Sequence, residues 1–219
     1  VNTAAPIARS DSHEYTVGGR HFDGVTTVIG SVIRKPGLEK WIGSLGNAEA
    51  ERVRTKAASH GTLMHALAAL VVADVPSIPM GDEDAPAQAQ LDAFTDWYMD
   101  HVGEVFAVEL MVANPTYQYA GALDFLVRMK GGSEPTVVDV KSGKAVYPEH
   151  RYQTAAYRKP VLPLLADYGF THTRCRRGVL HIPQDASGPA RFYEHTRHEA
   201  DFQGFLSCLY LYHDLKRGI

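Results

Sequence analysis

From Gly121 to Lys144 the chain reads Gly-Ala-Leu-Asp-Phe-Leu-Val-Arg-Met-Lys-Gly-Gly-Ser-Glu-Pro-Thr-Val-Val-Asp-Val-Lys-Ser-Gly-Lys. Two runs rich in β-branched and apolar residues flank Lys130-Gly131-Gly132-Ser133-Glu134-Pro135, a composition that turns an antiparallel pair. A β-hairpin is expected here. Side chains two apart on a strand share a face, so Asp139 and Lys141 point one way while Val138 and Val140 point into a core. The first arm predicts the same split, with Asp124 opposed to Leu123 and Phe125. Folding about Gly131-Gly132 brings Asp124 close to opposite the Asp139 to Lys141 segment, so two carboxylates and an ammonium meet on one patch of sheet.

Neighbouring carboxylates repel, and one of them holds a proton unless a cation neutralises the pair. Hard divalent ions prefer oxygen ligands, and Mg²⁺ often takes one or two carboxylates together with waters and a substrate phosphate. A metal in such a place polarises a phosphate and generates a hydroxide nucleophile. Lys141 is placed to orient that water or to stabilise charge on phosphorus. The chemistry suggested is phosphodiester hydrolysis, although an Asp-x-Lys on a strand is by itself a common solvated face.

The wider pattern carries more weight. Gly121-Ala-Leu-Asp124, then Val138-Asp139-Val140-Lys141-Ser-Gly-Lys144, then Tyr152-Gln153 and Tyr157, resembles the RecB-like branch of the PD-(D/E)XK nucleases. That branch also has an upstream helical histidine, which His65 in Gly61-Thr-Leu-Met-His65 matches. The resemblance runs in order from about His65 to Tyr157. It implies an α/β, restriction-endonuclease-like fold, with a mixed central sheet flanked by helices and a cleft where Asp124, Asp139 and Lys141 meet. It also implies a metal-dependent DNA exonuclease of phage or bacterial recombination and repair, working in the cytoplasm on DNA ends, with a recombination or helicase protein as a further partner. In these terms His65, Asp124, Asp139 and the backbone carbonyl of Val140 hold Mg²⁺, with Mn²⁺ as a substitute, and Lys141 positions the attacking water. The Gln153 and Tyr157 face of a helix looks toward the site, where these residues organise it or touch the DNA backbone. Some relatives hold an iron–sulfur cluster with four cysteines; Cys175 and Cys208 cannot supply them, so no cluster is expected.

The 219 residues suffice for one full core, and a single nuclease domain over 1–219 is expected, with 1–45 forming an N-terminal hairpin and short helices packed on it. No apolar run is long enough to cross a bilayer, and no signal-peptide pattern opens the chain. A net charge of −3 is not that of a general nucleic-acid binder. Charge is uneven, however. Lys141, Lys144, Arg151, Arg158 and Lys159 face only Glu149 in their stretch, and Arg174, Arg176 and Arg177 form a second cluster. Local basic patches of this kind steer a phosphate backbone, which makes Lys144 and Arg151 candidate DNA contacts; ordinary solvated faces have the same composition.

The rest of the chain frames the site. Val1 to Ser12 reads as a loose end, and Gly18-Gly19 as a tight hairpin turn. Short elements follow, with Trp41 read as core. Asn47 is placed to cap a helix running past His65 to Val72. Val75 to Ala87 is a Pro-rich loop, and Gln88 to Val102 a helix with Leu91, Phe94 and Tyr98 on its buried stripe. In the strand Val105 to Val112, Glu109 interrupts an apolar run. It is either an auxiliary metal ligand or substrate contact, as in relatives of the family, or an exposed strand residue. A helix from Glu149 should stop before Pro160. Strands at 176–181 and 190–194 and a final helix at about 199–217, burying Phe202, Phe205, Leu206, Leu209 and Leu211, complete the α/β pattern. Two other readings stand beside the exonuclease: a structure- or site-specific endonuclease of the same fold, and a non-catalytic DNA-binding module.

Overall fold

The computed structural model describes residues 6–10, 14–73, 85–185 and 187–218. Strand β1 (Ile7–Arg9) pairs antiparallel with β2 (Tyr15–Val17), which returns through Gly18-Gly19 into β3 (Arg20–Gly24). Both glycines have positive φ, +55° and +79°, the left-handed geometry that a two-residue hairpin turn requires. Residues 7–9 are thus a strand within the stretch expected to be loose. The other residues of that stretch lie largely outside the described ones, as does most of the Val75 to Ala87 loop.

Helices α1 (Val25–Val32), α2 (Pro36–Leu45) and α3 (Asn47–Val72) follow. Asn47 is the first residue of α3 and no side chain caps it: Gly46, at φ +81°, occupies the cap. Trp41 is half-buried on α2, outside every hydrophobic cluster, contrary to its reading as core. Helix α4 (Ala85–His101) starts earlier than Gln88, since a proline in the first turn sacrifices an amide that lacks a partner anyway. It leads into β4 (Val102–Asn114), the hairpin β5 (Tyr119–Met129) and β6 (Pro135–Lys141), and α5 (His150–Val161). Pro160 sits inside α5 and does not end it; the hydrogen bond it removes falls in the last turn, where a 3₁₀ segment (Leu162–Tyr168) takes over. Strands β7 (Arg176–His181) and β8 (Arg191–Glu194) and helix α6 (His198–Arg217) close the fold.

The architecture is α/β: one mixed eight-stranded sheet in the order β1-β2-β3-β5-β6-β7-β8, with β4 on the other edge of β5. Pairs β3/β5 and β6/β7 are parallel and the rest antiparallel. Helices α1, α5 and α6 cover one face over a core that includes Leu126, Val137, Tyr157, Phe202 and Phe205. Helices α3 and α4 cover the other, over Phe125, Val138, Val140, Leu67 and Phe94. Leu211 belongs to neither and is 43% exposed, one position off the buried stripe of α6. That helix also reaches the N-terminal hairpin, where Asp23 accepts from His213 Nε2 (2.8 Å) and Lys216 Nζ (3.1 Å). Among the described residues no helix is long and apolar enough to cross a membrane.

Candidate active site

The two arms of the central hairpin part before they reach the acidic residues. Pairing between β5 and β6 runs from Arg128–Pro135 to Phe125–Val138 and stops there; one further step would set Asp124 against Asp139. Strand β3 takes the same edge of β5 only at Tyr119 and Ala120. That edge is therefore left without a strand from Gly121 to Asp124. Into this gap Asp124 Oδ2 accepts the Val140 amide at 2.6 Å, satisfying a backbone donor that has no strand partner on that side.

The other edge of β5 is irregular at the same level. Val108 pairs with Phe125 and Leu110 with Leu123, but Glu109 and Asp124 between them do not pair, and Glu109 has φ +48°. A non-glycine residue held there stores roughly 1–3 kcal/mol of strain. The irregularity also breaks the alternation expected around Asp124: Leu123 joins the α5 and α6 core while Phe125 joins the α3 and α4 core. On β6 the alternation holds, with Val138 and Val140 in the α3 and α4 core and Asp139 and Lys141 directed to the opposite face.

Six side chains converge at the fork. His65 Nδ1 on α3 lies 2.8 Å from Asp124 Oδ1. Lys141 Nζ lies 2.7 Å from Asp139 Oδ2 without hydrogen-bond alignment, and that buried oxygen has no other partner. From α5, Gln153 Nε2 donates to Asp139 Oδ1 (2.9 Å) and to the Tyr157 hydroxyl (3.1 Å). Gly121 makes this possible, because a Cβ there would stand 2.5 Å from the Tyr157 ring.

The two carboxyls are driven apart electrostatically. Burial raises the Asp124 carboxyl, but the neighbouring His65 and Lys141 charges and the Val140 amide outweigh it, so Asp124 titrates below its ordinary range. For Asp139 burial wins, reinforced by the negative Asp124 and opposed by Lys141, and its carboxyl is pushed up. His65 loses by burial but gains more from Asp124 and is raised. Lys141, half-buried, is raised by the neighbouring Asp139 and Asp124 charges, which outweigh the loss of solvent. Neighbouring carboxylates repel, so one is pushed up while the other stays ionised.

Comparisons with known proteins add little. No protein-family model and no curated protein matches the chain. Among solved structures, the crystal structure of LHK-Exo in complex with dAMP is similar at 14% identity, with a TM-score of 0.27, over 90% of this chain and 92% of that one. A TM-score so low leaves both fold and function to be read from the chain's own residues.

Other expected site residues lie apart from this cluster. Among the described residues no three His, Cys, Asp or Glu side chains stand together in a metal-holding group: His65 and Asp124 face each other, while Asp139 turns to Lys141 and Gln153. Val140 engages the site through its amide. Glu109 is exposed. Lys144 is exposed and lines a neighbouring cavity. Arg151 donates to the Tyr152 hydroxyl (2.9 Å) and lies 3.7 Å from Asp201. The second basic cluster is consumed by the fold. Arg174 pairs with Glu134 and Arg176 with Glu194, and Arg177 is wholly buried against Asp201 at 2.6 Å.

Three supporting residues escaped the sequence reading. Gln90 on α4 is fully buried and donates from Nε2 to the carbonyls of Pro183 (2.8 Å), Ile182 (3.3 Å) and Ser142 (3.4 Å), tethering the backbone just past Lys141. A lone polar residue one step from Leu91 on the apolar stripe was the available signal. Arg177 Nη1 donates to the Arg151 carbonyl and Thr154 Oγ1, both at 2.8 Å, fixing the first turns of α5 beside Gln153. His150 opens α5; its Nδ1 accepts the Tyr147 amide (3.2 Å), and burial, with Lys141 nearby, pulls the imidazole down to about 4.

Proposed function

We propose that this chain is a metal-dependent nuclease that hydrolyses DNA phosphodiester bonds, acting as an exonuclease. The observation that carries the reading is the fork itself: two carboxylates and an ammonium at the parted ends of β5 and β6, with Asp139 Oδ2 buried and met by the Lys141 ammonium at 2.7 Å. A divalent cation suits the donor chemistry, because Mg²⁺ needs only one or two carboxylates and completes its shell with water and phosphate. Asp124 and Asp139 would hold it, aided by the Val140 carbonyl, with Glu109 within the same stretch of sheet as an auxiliary. His65 either joins as a ligand or, as now bonded, orients Asp124. When bound, such an ion lowers the pKa of a coordinated water and polarises the phosphate.

The protein's own groups do the positioning. Gln153 and Tyr157 fix the Asp139 carboxylate, and the Asp124 carboxylate is held between His65 and the Val140 amide. Lys141 would donate to the attacking water or to charge building on the phosphate oxygens. Lys144 and Arg151 approach the DNA backbone. The exonuclease form rests on the family resemblance; an endonuclease would use the same chemistry.

The purified protein is incubated with Mg²⁺, Mn²⁺ or EDTA on linear and circular DNA, single- and double-stranded, beside Asp139→Ala and Lys141→Ala. Metal-dependent loss of linear DNA alone is expected, with both variants inactive. Cutting of circles would establish the endonuclease instead. A folded Asp139→Ala protein with full activity would refute the mechanism, and DNA binding without cleavage would favour a binding module.

A further inference from the structure

The sheet face that carries Asp139 and Lys141 continues sideways across two more strands. In the parallel β6/β7 register Asp139 stands beside Val179 and Lys141 beside His181; in the antiparallel β7/β8 register Val179 stands beside Tyr193 and His181 beside Arg191. Side chains in register across a sheet share a face. Two rows therefore leave the fork, Asp139–Val179–Tyr193 and Lys141–His181–Arg191. At roughly 4.8 Å per strand, Tyr193 and Arg191 lie about 10 Å from the reacting carboxylate and ammonium.

At the carboxyl ends of β6 and β7 and the amino end of β8 a cavity of about 580 Å³ opens, lined by Lys144, His181, Asp185, Arg191 and Tyr193 among others. Its chemistry is uneven in a useful way. His181 is anchored, its Nε2 2.9 Å from the Gly143 carbonyl, and its ring lies 6.4 Å from the tilted ring of Tyr193. Tyr193 is 43% exposed, a large aromatic surface left open by the fold. Lys144 and Arg191 are both exposed. The single acid on this wall, Asp185, accepts the Ser187 amide at 3.1 Å.

We propose that this cavity is a single-strand subsite: it receives an unstacked nucleotide of the DNA strand whose phosphate lies at Lys141, with the base on Tyr193 and flanking phosphates at Lys144 and Arg191. The proposal rests on the nuclease reading and deepens it by naming the substrate form. An open aromatic ring beside cations is the recurring platform for unpaired bases, and a base still paired in a duplex has no free face to offer it.

The test is a fluorescence-anisotropy titration of the full-length protein in EDTA, which blocks cleavage. The probe is a labelled oligothymidylate of about 15 nucleotides, the upper range of single-strand site sizes, against a duplex of equal length. Tyr193→Ala is expected to weaken single-strand binding about tenfold or more while Tyr193→Phe keeps it, since stacking needs the ring and not the hydroxyl. Lys144→Ala and Arg191→Ala are each expected to lower the slope of log affinity against log salt by about 0.7. Duplex binding changes little for Tyr193→Ala, Tyr193→Phe and Arg191→Ala. Single-strand binding by Tyr193→Ala equal to the parent, or an equal loss for single strand and duplex, overturns the subsite. A parent protein that cleaves DNA while these variants bind unchanged sinks the subsite alone, and a parent that neither binds nor cleaves sinks the nuclease reading with it.

Discussion

Removing the Arg177 guanidinium should expose how helix α5, which carries Gln153 and Tyr157, is held. Arg177 is fully buried and donates to Asp201 Oδ2 (2.6 Å), the Arg151 carbonyl (2.8 Å), Thr154 Oγ1 (2.8 Å) and His198 Nδ1 (3.2 Å). Burial pulls its pKa down and Asp201 opposes that pull. Arg177→Met leaves the Asp201 carboxylate in the core with only Arg151, 3.7 Å away, as an ionic partner. Breaking a buried pair from one side costs about 3–5 kcal/mol, whereas replacing both partners by apolar groups is often neutral. In urea, with a slope of about 2–3 kcal/mol per M, the midpoint should fall by roughly 1–2 M for Arg177→Met. Arg177→Met/Asp201→Leu should recover most of that loss. Circular dichroism melts in urea for wild type, both single variants and the double variant complete the cycle. A single-variant loss under about 1 kcal/mol, or a double variant as unstable as the sum of the singles, would refute the claim that the pair is a coupled, desolvated unit.

Two other outcomes follow from the geometry. Gly121→Ala should cost about 1–3 kcal/mol and sharply reduce cleavage, because the added methyl meets the Tyr157 ring at 2.5 Å and dislodges the Gln153 bond to Asp139; wild-type melting and activity would contradict it. His150 and His195 are both held near 4, by burial and then by Lys141 and Arg177 respectively. Their folded pKa lies below the unfolded value of about 6.5, so the unfolded chain takes up protons first; the stability they contribute is complete above about 6.5 and is lost as pH falls toward 4. Discounted for partial solvent access, each contributes about 1–2 kcal/mol, and His195→Gln should flatten the pH dependence of urea midpoints between pH 7 and 4. An unchanged slope would dismiss the role of His195.

Much of the site was legible because local rules determine it. The period-two alternation around Asp139 and Lys141, the turn at Gly131-Gly132 and the four-residue spacing of Gln153 and Tyr157 each specify a face without knowledge of the fold. The failures lie where tertiary context decides. Nothing local shows that β3 and β6 share one edge of β5, or that Glu109 turns left-handed and breaks the alternation at Asp124. Arg177 reads as surface charge in sequence because its partner Asp201 lies 24 residues on, in the first turn of α6. Trp41 reads as core, yet among the described residues it joins no hydrophobic cluster and stays half-buried.

The contact of Asp23 with His213 spans 190 residues. At a synthesis rate of about 5–20 residues per second, roughly 10–40 s pass between the emergence of the two partners. During that interval the β2–β3 hairpin has His21, 3.4 Å away, beside its Asp23 carboxylate but lacks the two α6 donors, and the small cluster around Phe22 and Tyr15 is only partly walled. The order of translation therefore makes the N-terminal hairpin an early-born, late-secured part of the nascent protein, completed only when the last helix docks.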